Sequence, residues 1–227
     1  MTVGVIFLSL GATPELIEMT QNAVNSCIIS DPDINFRVLV CEGVSGIEYT
    51  GAAVTNPPTE EPFNYNLYMN MCRSHAMFKG CEYIALCNND LLFENEWASI
   101  LIKTMKKQGV LSACPKEPTI HRDVPFVNGV CPGYGVTSGF RPIAGWCIFQ
   151  NMRIYDIIGD IDERAEFWHA DTMYGEQLKA FEVKHILVEG SVVHHLERGS
   201  NTLETLSKTQ QEKLTTHSPV HRQIYSL

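Results

Sequence analysis

Apolar runs and segments of helical period alternate along the first half of this chain, and each is closed by a residue that breaks it. The run from Val3 to Leu10 is apolar almost throughout and stops at Gly11, which predicts a strand buried on both faces. Leu16, Ile17, Thr20, Ala23, Val24 and Cys27 then recur at helical spacing behind Thr13 and Pro14, a cap and a first-turn proline, until Asp31 and Pro32 end the pattern. Phe36 to Cys41 is a second strand signature, closed by Glu42 and Gly43. A strand, helix and strand of this length cross over right-handedly and predict parallel pairing.

From Val44 to Pro62 the chain is rich in Gly, Thr, Pro and Glu without apolar period, so it reads as a loop holding at most one short strand. Asn66 to Lys79 predicts a helix stopped by Gly80, and Tyr83 to Cys87 a third buried strand running into Asn88, Asn89 and Asp90. Further along, the pattern predicts a helix from about Glu94 to Gln108, a strand near Val110 to Ala113, and a loop-rich stretch from Pro115 to Pro142 suited to a lid or acceptor-binding region. Ala144 to Phe149 is apolar again, Arg153 to Ile158 is a short helix ending at Gly159, Ala170 to Phe181 is a helix, and Lys184 to Val193 is a late edge strand. Beyond Gly199 the residues are polar and predict one exposed helix or a frayed end. The expected organisation is one α/β domain over residues 1–202 with a polar C-terminal extension over 203–227.

Composition narrows the class. With 227 residues, 44% hydrophobic and 19% charged, the chain can bury a core around one sheet, and it contains no apolar stretch of membrane-spanning length. The net charge of −9 argues against general binding to a phosphate backbone. Lys103, Lys106 and Lys107 form one small basic cluster that reads as a solvated helix face. The eight cysteines are scattered, without a C-x-x-C pair, and several lie within apolar runs. Free thiols in a reducing, cytoplasmic setting are the expectation, since the apolar start of the chain lacks a basic lead and a cleavage site.

Three polar features carry candidate chemistry. Asp90 ends a buried parallel strand, where open α/β sheets bind ligands, although an aspartate there is as often a helix cap or turn former. Asp171 stands at a predicted helix start, a position that a carboxylate also favours for the helix dipole alone. His194 and His195 end the last apolar run, and adjacent strand residues point to opposite faces, so at most one can join a site formed on one face. Singly, each is weak.

Their order, however, resembles family 2 glycosyltransferases of the GT-A fold, especially the rhamnosyltransferase-like branch. The matching residues are Asn70 through Ala76, Gly80 through Asp90, Gly145 through Phe149, Arg153, Gly159 through Glu163, His169 through Asp171, and His194-His195 with Ser200 to Thr202. The resemblance covers most of the chain up to about Thr202. It implies a single-domain GT-A fold, with a mostly parallel central sheet flanked by helices. It also implies a hexosyltransferase-like activity, moving a sugar with inversion from a nucleotide-diphosphate donor, a UDP-sugar first, to a hydroxyl acceptor. Glycan, metabolite, protein and modified nucleic-acid base all remain open as acceptors.

Carried over residue by residue, the resemblance makes Asp171 the catalytic base. Asp90 would bind a divalent metal (Mn2+ or Mg2+) together with His194 or His195, His194 being the first choice. The donor would be lined by Leu10, Gly11, Ala12, Thr13, Glu42, Asn70, Asn88, Asn89, Asp90, Gly145 and Trp146. The chain departs from the family pattern at Ala170, in place of the first acid of an acidic pair, at Asn88, in place of the first Asp of D-x-D, and at Ile161, in place of Phe.

Two neighbouring enzyme classes are disfavoured by the loop after the first strand. Residues Ser9 to Pro14 contain one glycine and no basic residue, unlike the triphosphate loop of a nucleotidyltransferase, and no G-x-G-x-x-G follows as a dehydrogenase requires. A non-catalytic nucleotide-sugar or glycan-binding module is the alternative that Ala170 and Asn88 leave in play.

Overall fold

The computed structural model describes residues 1–57, 64–135, 141–164 and 169–196. The predicted extension 203–227, and Ser200 to Thr202 before it, lie outside the described residues.

Strand β1 (Thr2–Ser9) is buried over Val3 to Leu8 and pairs in parallel with β2 (Asn35–Glu42) on one side and β4 (Tyr83–Asn88) on the other. A short β3 (Ala53–Thr55) adds in parallel to β2, inside the long polar loop. Helix α1 (Pro14–Ile29) starts as its sequence dictates: the Leu16 N–H donates to Thr13 Oγ1 at 3.4 Å, and Thr20, Ala23, Val24 and Cys27 form the buried face. Helix α2 (Tyr65–Arg73) is capped by Asn64, followed by a 3-10 turn at Ala76–Phe78 and then Gly80.

Beyond β4 the sheet becomes mixed. Strand β8 (Cys147–Asn151) inserts antiparallel between β4 and β6 (Ser112–Lys116), and β9 (His185–His195) runs parallel to β6. Strands β5 (Leu91–Phe93) and β7 (Val130–Pro132) each pair antiparallel with β9. The path across the sheet is β3-β2-β1-β4-β8-β6-β9-β5. The last apolar run is therefore not an edge strand: β9 is eleven residues long and has neighbours on both sides. Such short strands as β5 and β7, three residues each, carry too little pattern to read in advance.

Helix α3 (Trp97–Gln108) illustrates how distant residues complete an element. Glu96 offers it no side-chain cap; instead Asp31, from the turn after α1, accepts from Ser99 N at 2.8 Å and Ser99 Oγ at 2.9 Å. Its far end closes at Gly109, whose φ of +65° is the left-handed conformation that glycine adopts without a Cβ penalty. Trp97 is wholly buried and packs on Phe93 and Phe149 at ring-centroid distances of 4.6 and 5.7 Å, joining the helix to both halves of the sheet. Burial of each such side chain contributes about 1.5–3 kcal/mol before entropy is counted. Among the described residues the remaining α-helices are α4 (Tyr155–Ile158) and α5 (Ala170–Ala180). All eight cysteines are buried and free, and burial holds the thiols of Cys27, Cys87 and Cys114 well above the ordinary cysteine range, which disfavours the reactive thiolate. Among the described residues, no helix is long and apolar enough to cross a membrane.

Candidate functional site

The antiparallel entry of β8 brings its first residues against the last residues of β4. Cys147 faces Cys87, and the Asn88 N–H donates to the Trp146 carbonyl at 2.9 Å. Two residues on, Asp90 is 2% exposed. Leu91 pairs with His195 across β5 and β9, and the Leu196 N–H donates to the Asp90 carbonyl at 2.9 Å. This register sets His195 Nε2 3.2 Å from Asp90 Oδ2.

Neither side chain is satisfied by the other. Asp90 Oδ1 and His195 Nδ1 are both buried without a hydrogen-bond partner, a costly condition for polar atoms. Two donor atoms at this separation suit one cation, because adjacent ligands of an octahedral ion with bonds of about 2.1 Å lie about 3 Å apart. Among the described residues, no group of three or more His, Cys, Asp or Glu is disposed to hold an ion. Asp90 and His195 are two potential ligands side by side, so any ion held there would need its remaining ligands from elsewhere. His194 is placed differently from the first choice made on sequence. It projects from the other face of β9, its Nε2 2.7 Å from Glu94 Oε1, and its side chain is 44% exposed.

From the Asp90–His195 pair a wall of contacts continues through stacked rings. The Trp146 and His195 rings lie 5.8 Å apart and 16° from parallel. Gly145 comes next, its carbonyl accepting from the Tyr65 hydroxyl at 2.9 Å. A Cβ at Gly145 would stand 2.9 Å from the Cβ of Asp171, so only glycine allows this approach. Asp171, in the first turn of α5, accepts from the Thr172 N–H through Oδ1 at 2.8 Å, and its Oδ2 lies 3.8 Å from the Arg141 guanidinium. Asp90, His195, Trp146, Gly145 and Asp171 are in this way contiguous, although they come from four separate parts of the sequence.

Two polar networks hold this wall. On the acid side, Tyr174 and His185 both bond to Ser112 Oγ at 2.7 Å, and His185 Nε2 reaches the Pro142 carbonyl at 2.9 Å. That chain ties α5, which carries Asp171, to the segment that carries Arg141. Complete burial depresses the His185 pKa to about 4, so the ring is neutral and Nε2 carries the proton for Pro142. The second network comes from α2. Asn66 donates to the Asp162 carbonyl at 2.7 Å, and Asn70 donates to the Ile161 carbonyl and Glu163 Oε1 at 2.8 Å while accepting from the Ile161 N–H at 3.0 Å. Asn70, expected among the donor-lining residues, therefore has its amide committed to the segment that leads into α5.

The loop after β1 is organised by Glu42. This wholly buried carboxylate accepts from Gly11 N at 2.7 Å, Val44 N at 2.9 Å and the Tyr49 hydroxyl at 2.6 Å. Burial, and secondarily the bond to Glu42, pushes the Tyr49 pKa up to about 12. Asn89 donates to Thr20 Oγ1 at 2.8 Å, so its amide faces α1. Leu10, Gly11, Ala12 and Thr13 form the loop itself, with Ala12 and Thr13 exposed. Glu42 and Asn89 thus brace this corner through side chains already bonded to protein, whereas the sequence reading placed both against the donor.

Sequence reasoning did not single out Tyr65, Tyr49, His121 or Arg141. His121 is wholly buried, accepts from the Glu117 N–H at 2.8 Å and lies with its ring 6.0 Å from that of Trp146. Lone residues carry no spacing signal, and only the fold shows that His121 borders Trp146, that Tyr65 bonds to Gly145, that Arg141 meets Asp171 and that Tyr49 meets Glu42.

No protein-family model matches the chain, and no curated protein matches it. Solved structures do. The crystal structure of S. aureus TarS 1-349 superposes with a TM-score of 0.60 at 13% identity, covering 90% of this chain and 63% of that one. A crystal structure of S. aureus TarS gives 0.59 and 13%, covering 90% and 38%. GalNAc-T7, crystallised with UDP, GalNAc and Mn2+, gives 0.61 at 11% identity, covering 86% of this chain and 43% of its own. At these identities the likeness shows the fold, a mixed α/β GT-A architecture with a central sheet flanked by helices. The chain spans less than two thirds of the length of each.

Proposed function

We propose that this chain is a glycosyltransferase that moves a sugar from a nucleotide-diphosphate donor, a UDP-sugar first, to an acceptor hydroxyl. The observation that carries the reading is the pair of buried Asp90 and part-buried His195, 3.2 Å apart and each with an unpartnered buried atom, in one continuous wall with Asp171. The GT-A fold and the Mn2+ and UDP in the GalNAc-T7 crystal support it.

In this reading Asp90 and His195 hold a divalent cation, Mn2+ or Mg2+, which when bound neutralises the charge on the departing diphosphate. The loop from Leu10 to Thr13, kept in shape by Glu42, borders the nucleoside, and Asn88, Gly145 and Trp146 border the diphosphate and sugar. Asp171 removes the proton from the acceptor hydroxyl. The oxygen then forms a bond to the anomeric carbon as the bond from that carbon to the diphosphate oxygen breaks, with inversion. Packing of Trp146 over His195 keeps water from one side of the metal ligands.

Calorimetry with UDP and a panel of UDP-sugars, with and without Mn2+, beside an assay of donor hydrolysis and transfer, tests this. The expected result is donor binding that requires the cation and is lost in Asp90→Ala, together with turnover. Cation-independent binding contradicts the assigned site. Binding with no turnover for any donor favours a non-catalytic sugar-nucleotide module of the same fold.

A further inference from the structure

The molecule is acidic, with 26 Asp and Glu against 17 Lys and Arg, yet a cation, Arg141, stands at Asp171, and Lys116 ends the strand that leads to His121. Arg141 lies 3.8 Å from Asp171 Oδ2, too far for a hydrogen bond, and its Nε is buried without a partner. Its side chain is 36% exposed. Lys116, at the end of β6, sets its ammonium 5.3 Å from the centre of the Phe126 ring and forms no ion pair among the described residues.

His121 ties the end of β6 to this wall: its Nδ1 accepts from the N–H of Glu117, the residue after Lys116, at 2.8 Å, and its ring lies 6.0 Å from that of Trp146. Burial first, and then the charges of Arg141 and Lys116, hold the His121 pKa at about 4, so this ring adds no charge of its own. Arg141 thus faces the carboxylate of Asp171, while the carboxylate next to Lys116, that of buried Glu117, is taken up by the Ile120 N–H. A planar guanidinium with unfilled donors is built to take an oxyanion through two parallel hydrogen bonds, and an ammonium beside it adds a point charge. The donor's diphosphate has its own place at Asp90 and His195, on the far side of Trp146.

Resting on the glycosyl-transfer reading, we propose that the acceptor carries an anionic group, phosphate or carboxylate, that Arg141 binds with Lys116 alongside it, presenting a neighbouring hydroxyl to Asp171. The anion is the handle and the hydroxyl is the nucleophile. Arg141 is then an acceptor-specificity residue, and its contact with Asp171 is a resting arrangement that the acceptor replaces.

Small probes separate the elements. The full chain, saturated with UDP and Mn2+, is titrated with glycerol 3-phosphate, with glycerate and with glycerol, which offer hydroxyls with a phosphate, a carboxylate or no charge. The expected result is that at least one anionic probe binds about tenfold or more tightly than glycerol, with affinity falling as NaCl is raised. Arg141→Gln should remove about tenfold of that affinity and Lys116→Gln a smaller share, while the affinity for UDP with Mn2+ stays within about twofold in both. Lys116→Gln and the salt series remain informative if Arg141→Gln does not fold. The inference is overturned if neither anion binds better than glycerol, if the variants leave anion binding unchanged, or if Arg141→Gln weakens UDP as much as the anion, which would assign Arg141 to the diphosphate. Failure of UDP itself to bind with Mn2+ would instead sink the underlying glycosyl-transfer reading.

Discussion

His195 Nε2 lies 3.2 Å from Asp90 Oδ2, while His194, the adjacent residue, is turned to the opposite side of β9 and meets Glu94. The alternation of a strand decides between two residues of identical chemistry. His195→Ala is expected to lower the affinity for UDP in Mn2+ by about tenfold or more, the range seen when an interaction with a charged group is removed. His194→Ala, whose partner is an exposed carboxylate, should leave it within about twofold. Titration of both variants with UDP and Mn2+ checks this, and equal losses would remove the distinction.

Asp171 stands apart from the Asp90–His195 pair, bonded among the described residues to the Thr172 N–H and loosely to Arg141. Asp171→Asn preserves size and that hydrogen bond but cannot accept a proton at the working pH. Transfer should fall by about a hundredfold or more, the usual contribution of a positioned base, with UDP affinity unchanged. A parallel drop in donor binding would show that Asp171 serves the donor instead.

Much of the parallel half of the molecule was legible in the sequence, because β1, β2 and β4 are continuous apolar runs and α1 carries its own cap, period and stop. The mixed half was not. Strand β8 gives the same apolar signature in either direction, so its antiparallel insertion, on which the meeting of Trp146 with Asn88 depends, had no local sign. For the site, Asp90 and Asp171 stood at element ends where pattern exposes them. Glu42 also ended a strand, yet it is consumed by Gly11, Val44 and Tyr49, contacts that only tertiary structure creates. Asn70 looked like a ligand residue for the same reason: an amide on a helix face does not reveal whether protein or substrate will meet it.

The Glu42 corner makes a stability prediction. Glu42→Ala removes the acceptor of the buried Gly11 N–H and the part-buried Val44 N–H and leaves the Tyr49 hydroxyl with Ser9 Oγ alone, and a buried orphan costs about 1–3 kcal/mol. The melting temperature should fall by roughly 6–12 °C for a loss of about 3 kcal/mol in a domain of this size. Tyr49→Phe, which removes one donor and keeps the packing, should cost about 1 kcal/mol. A thermal melt of the two variants checks the order, which reverses if the network is not what holds the loop.

His121 and His185 predict how stability depends on pH. Both are buried and neutral when folded, with pKa values of about 4 against 6.5 in the open chain. Between these values the unfolded state binds more protons, so stability is fully present above about pH 6.5 and is lost as the pH falls toward 4. For His185 the loss is on the order of 3 kcal/mol over that interval. Denaturant midpoints at pH 7, 6 and 5 should decline in the wild type. His185→Asn, which lacks the titrating group, should show a shallower decline, whereas an unchanged slope would mean that other groups set the acid limit.

Gly145 offers the sharpest separation of structure from chemistry. Its main chain passes so close to α5 that an added Cβ would sit 2.9 Å from Asp171 Cβ and 3.3 Å from its carboxylate. Real carbons do not pack at 2.9 Å, so Gly145→Ala must displace either the first turn of α5 or the segment entering β8. The second movement is restrained by the Tyr65 hydroxyl on the Gly145 carbonyl and by the Asn88 bond to Trp146, whereas the Asp171 side chain bonds to the N–H of its own helix and lies 3.8 Å from Arg141, contacts that can move with it. Asp171 should therefore move, at a cost of about 1–3 kcal/mol in stability. A misplacement near 1 Å suffices for about a hundredfold loss of transfer, while cation-dependent UDP binding at Asp90 and His195 should change little. Kinetics and calorimetry on Gly145→Ala read these two quantities separately. Loss of UDP binding with transfer intact would show that β8 had yielded and that the wall is stiffer at Asp171 than at Trp146.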